Sequence, residues 1–149
     1  DGKRYVYDSN QFMCCPMSMP VEAGTPTASP DNPLLGVMIS LNTRVMTELA
    51  IEMESSLGTI RMPKNDPAPQ GLALANWDSA FTEALLRLLQ LRGRPSDIAI
   101  LGDGRLREFY YAVFNGDAGT SAKRAFGVCN ANSSKPQQCH QFSLLRPCD

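Results

Sequence analysis

Five cysteines and a single histidine hold most of the reactive chemistry available to this 149-residue chain. Cys14 and Cys15 are neighbours. Adjacent strand residues point to opposite faces, so the two are poor partners for each other or for one metal. One of them could face a pocket as an oxidant sensor, but the sequence around them lacks the positive charge that favours a thiolate. Two small buried hydrophobes is the simpler expectation. The remaining candidates, Cys129, Cys139, His140 and Cys148, cluster near the C-terminus. A Cys₃His zinc set is conceivable, yet the spacing is irregular and has no paired C-x₂-C knuckle. Cys139 and His140 are also weak as nucleophile and base, because sequence neighbours rarely align and no third group orients them. A small hydrolase using that tail thiol or His140 is the alternative from the enzyme class. There is no G-x-S-x-G, and Gly102-Asp103-Gly104 lacks the glycine pattern and the Lys-Ser/Thr pair of a phosphate loop. No catalytic residue, metal or cofactor is expected.

Binding chemistry is better represented. Met13, Met17 and Met19 fall on the same strand face as Cys15, and Met38 sits on a later strand. Methionine adapts to irregular apolar ligands, so Met13, Cys15, Met17 and Met38 are candidate lining for a small apolar effector, with ordinary core filling as the competing explanation. Trp77, Phe81, Phe109, Tyr110, Tyr111 and Phe114 fall on two predicted helices. The nearby arginines are interleaved with Glu83, Asp97, Asp103 and Glu108, the pattern of a solvated face rather than a base-stacking ladder. The net charge of −1 and pI of about 5.8 also argue against nucleic-acid binding as the main activity.

The elements that would position these residues read as strands, then helices. Residues 3–7 alternate as a half-exposed strand would. Gln11 to Val21 is predicted extended, since Pro16 and Pro20 forbid a helix. Pro33 to Leu41 is the best strand, and apolar residues on both faces predict cover on both sides. Asn42 or Thr43 caps a helix over 44–56. The proline-bearing stretch from Thr59 to Gly71 is a connection. Asn76 is expected to cap a helix over Trp77 to Leu91, whose broad apolar stripe could serve core and partner alike. Ser96 to Leu101 reads as a short helical turn, and Asp103 as the cap of a separate helix ending near Asn115. One more short helix is expected over 118–126. Beyond Gly127 the composition turns to Asn, Ser, Gln, Cys and Pro, with little periodicity. No apolar run approaches the roughly 18 residues of a membrane span.

The order and spacing of NPLLGVMISL, ANWDSAFTEALLRLLQL and ILGDGRLREFYYAVFNGDAG resemble the N-terminal domain of AraC-type transcriptional regulators. The resemblance implies an α+β fold: a cupin-like antiparallel β-sheet followed by a helical dimerisation subdomain. It divides the chain into 1–42 from the barrel, 43–127 helical, and an irregular tail at 128–149. It implies a cytoplasmic, non-enzymatic sensor with a small apolar effector, and a dimer interface at Phe81, Leu85, Leu88 and Leu89. The resemblance begins partway into the domain and stops before the helix-turn-helix reader, so a truncated regulator is expected. DNA would then be reached only through a further C-terminal domain, and open sheet edges predict a homodimer or strand-exchanged oligomer. A bare oligomerisation module is the remaining alternative. Metal-dependent cupin chemistry needs several histidines on neighbouring strands, and the barrel-like part has none.

Overall fold

A run of aromatic rings ties the sheet to the helices. Phe12 of β1 (Gln11–Cys15) stacks on Phe81 of α2 (Ser79–Leu89), with centroids 4.1 Å apart and planes within 5°. Phe81 in turn meets Trp77 edge-on at 5.6 Å and Phe109 of α3 (Pro95–Asn115) at 5.3 Å. Such pairs add about 0.5–1.5 kcal/mol each beyond the apolar area they bury. The computed structural model describes residues 4–6, 8–16, 20, 22–26, 28–57, 71–126 and 141–147, the side chains of Arg124 and 141–147 excepted.

The fold is α+β. Among the described residues four strands form an antiparallel sheet, β1 with β2 (Leu34–Ser40), β3 (Ala73–Asn76) and β4 (Gln141–Pro147), in the order β2-β4-β1-β3. The helices are α1 (Thr43–Leu57), α2, α3 and α4 (Gly119–Phe126). One core serves both layers: Phe12, Cys14 and Ala75 from the sheet meet Met46, Leu49, Ala50 and Met53 of α1 and the inward faces of α2, α3 and α4. The sheet draws its strands from all three of the stretches 1–42, 43–127 and 128–149.

Local chemistry sets the boundaries. The Asn42 side chain accepts from the Val45 amide at 3.2 Å and caps α1. Asp78, not Asn76, caps α2, accepting from the Phe81 amide at 2.7 Å. Asn76 ends β3 instead, receiving a bond from Gln11 and donating one to Asp117. Gly93 adopts φ 77°, the left-handed conformation that lets the chain reverse into α3. The two helices form an antiparallel hairpin latched by Arg87, which pairs with Glu108 of α3 at 2.8 Å and Glu83 of α2 at 3.3 Å. Arg107 binds Glu52 and ties α3 to α1.

Four further expectations need correcting. Residues 4–6 form no strand. The segments expected as a turn and a separate helix are one 21-residue helix, α3, passing straight through Gly102 and Gly104. β2 is covered on one face only: Val37 and Ile39 pack on the core, whereas Met38 on the opposite face is 62% exposed. The stretch after Gly127, expected to be irregular, supplies β4. The connection from Thr59 to Gly71 lies outside the described residues up to position 70.

Candidate effector-binding face

Strand register sorts the sheet residues into two faces, because directly opposed residues in an antiparallel ladder share a face. Toward the helices lie Phe12 and Cys14 of β1, Ala75 of β3, and Val37 and Ile39 of β2. On the outer face, Met38 of β2 opposes Ser143 of β4, Ser143 opposes Met13 of β1, and Met13 opposes Leu74 of β3. The result is one row across all four strands. One step along, Ser40 and Cys15 flank Gln141 in the same manner. The register therefore brings Met13, Cys15 and Met38 onto one face, with Met13 and Cys15 half-buried and Met38 exposed. Leu74 joins them. Its strand, ALAN, has no β-branched or aromatic residue and gave no strand signal in the sequence. Met17, the fourth candidate, lies outside the described residues, as do Cys129, Cys139, His140 and Cys148.

The two described thiols are unlike reactive ones. Burial, and secondarily the adjacent Cys15, pushes the Cys14 thiol far above its usual range. Burial also raises Cys15. Both stay protonated at neutral pH, where a nucleophile or metal ligand needs the thiolate. Among the described residues no group of His, Cys, Asp and Glu is arranged to hold a metal.

The candidate dimer residues divide by depth. Phe81 and Leu85 are buried in the protein's own core, Leu88 is partly buried against it, and Leu89 is 41% exposed. The exposed apolar side chains of the hairpin also include Leu86 on α2 and Ile98 and Leu101 on α3. Leu86 escaped notice in the sequence because it belongs to the same leucine run as the core residues and only the helix phase separates them.

Tyr110 links the sheet to the helices. Its hydroxyl donates to the Ser40 carbonyl at 3.2 Å and accepts from the Asn42 amide at 2.9 Å, pinning the end of β2 and the start of α1 to α3. Burial raises its phenol above the ordinary range, the Asn42 amide opposing in part, so it remains a hydroxyl able to do both.

The family model of the AraC-type transcriptional regulator N-terminus matches residues 1–121, and the chain belongs to that family. No curated protein and no solved structure matches it. Among the described residues no helix is long and apolar enough to cross a membrane.

Proposed function

We propose that this chain is the ligand-sensing and dimerisation part of an AraC-type regulator, working in the cytoplasm without enzymatic activity. The sheet corresponds to the cupin-like effector half and the helices to the dimerisation half. The row of Met38, Met13 and Leu74 across the outer face carries the reading: three apolar residues, with Ser143 between the first two, lie partly exposed on the face that the helical core does not use. A small apolar effector would lie along it beside Cys15, with Met17 as a further expected contact. A second copy would pair through α2, chiefly at Leu89 with Leu88 at its margin, while Phe81 and Leu85 hold the helix in place from beneath. Effector binding would then bias how a DNA reader following this domain is presented.

The neutral dye Nile red is a suitable probe because it reports apolar surface without charge. Met38→Glu changes an exposed side chain and should leave the fold intact. Dye emission is expected to fall several-fold in the variant. Emission equal to wild type would move the ligand site away from this face.

A further inference from the structure

Sulfur is unevenly placed in this fold. Of the described methionines, Met46 and Met53 are buried in the core, whereas Met13 and Met38 both stand on the outer face of the sheet. Cys14 belongs to the core, and Cys15 falls on the outer side, two residues along β1 from Met13. The ladder sets their spacing. Met38 and Met13 lie in one row with Ser143 between them, about 9–10 Å apart at two strand spacings. Cys15 follows Met13 at about 6–7 Å along the strand. A methionine side chain has three rotatable bonds and carries its sulfur near the end, so two of them can lean toward each other over a small intervening residue. No Asp, Glu, Lys, Arg or His occupies any position on this face of the four strands.

We propose that Met13, Cys15 and Met38 form a binding site for a soft monovalent metal ion of the copper(I) class. Thioether and thiolate ligands select such ions, and the carboxylate and imidazole ligands that suit harder or divalent metals are absent from the face. Charge points the same way. Cys15 is a thiol at neutral pH and gives its proton to solvent as the metal–sulfur bond forms. One thiolate with two neutral thioethers then balances one positive charge. A divalent ion would leave a net charge on a half-buried face that has no anion to meet it. The metal site shares residues with the proposed effector face but does not rest on that reading: the ion needs the sulfurs, and a small apolar ligand needs only the apolar surface.

The test uses the full chain, reduced, with Cys129→Ser, Cys139→Ser and Cys148→Ser so that Cys14 and Cys15 are the remaining thiols. Copper(I) is titrated in competition with a coloured copper(I) chelator. One equivalent should be held, and Met38→Leu, Met13→Leu and Cys15→Ser should each weaken it by at least about tenfold, a loss that even an outer-shell partner of a metal can cause. Leucine keeps the apolar surface and removes only the sulfur, so Nile red emission should stay at the parent level in Met38→Leu while copper(I) retention falls. Equal copper(I) affinity in the parent and in both leucine variants would overturn the metal site and leave the effector reading standing. Zinc(II) supplies the second arm: its affinity should be the same with and without Cys15→Ser, and a larger loss for zinc(II) than for copper(I) would overturn the assignment to a soft monovalent ion. Two leucine variants on different strands keep a folding defect in one from deciding the result.

Discussion

Glycines at three positions of the helical layer show how neighbours decide the sign of one substitution. Gly104 lies inside α3 with open space where a Cβ would stand, and Gly102 would meet only the Ile98 side chain at 3.7 Å. A helix-interior glycine costs about 0.5–1 kcal/mol relative to alanine, so Gly104→Ala should raise stability by that amount in a denaturant melt. A Cβ at Gly119 would collide with the Phe114 carbonyl oxygen. Gly119→Ala should therefore destabilise by about 1–3 kcal/mol in the same melt, since the backbone of α3 must shift to admit it. Cys14 gives a pH signature. Folding holds its thiol neutral, whereas the unfolded thiol ionises near 9.0. The unfolded state thus binds fewer protons above that value, and stability must fall as pH rises past it. Cys14→Ala should flatten this alkaline limb while lowering stability at neutral pH through the cavity it leaves. An unchanged limb would assign the pH dependence to another group.

At the scale of elements, Tyr110 is the joint between layers. Tyr110→Phe removes both bonds of the hydroxyl and should cost about 1–2 kcal/mol. It should also speed hydrogen exchange at the Asn42 amide more than at amides within α1, an asymmetry that simple loss of packing would not produce. The elements legible in the sequence were those whose periodicity matched their burial: α1 through Met46, Leu49, Ala50 and Met53, and β2 through Val37 and Ile39. α3 was misread as two pieces because Gly102 and Gly104 mimic a turn. The helix continues because Pro95 starts it well upstream and Phe109, Tyr110, Val113 and Phe114 anchor its far half. β3 and β4 were hidden for a different reason. ALAN offers no propensity and QFSLLRP sits among polar residues, so both are strands only because β1 presents ladder partners on each side. The candidate face was legible in part: period-two spacing placed Met13 with Cys15, but their alignment with Met38 depends on the β4 register, which no local pattern contains.

For the whole molecule, the division between buried and exposed leucines on α2 separates the proposed dimer contact from the core. Leu89→Glu should weaken a helix-mediated dimer at least tenfold in light-scattering dilution, a loss of about 1.4 kcal/mol, and leave the melting curve of the folded chain little changed. Leu85→Glu should instead unfold it, since that side chain is 3% exposed and a buried unpaired charge is costly. The place of β4 in the sheet also has a consequence for the chain as it is made. Synthesis runs from the N-terminus, so 141–147 emerges after every other described element, yet it belongs between two of the earliest. The helices and the β1–β3 pair can form while β2 still has no ladder partner, and the sheet closes only when the last strand arrives across a large sequence separation.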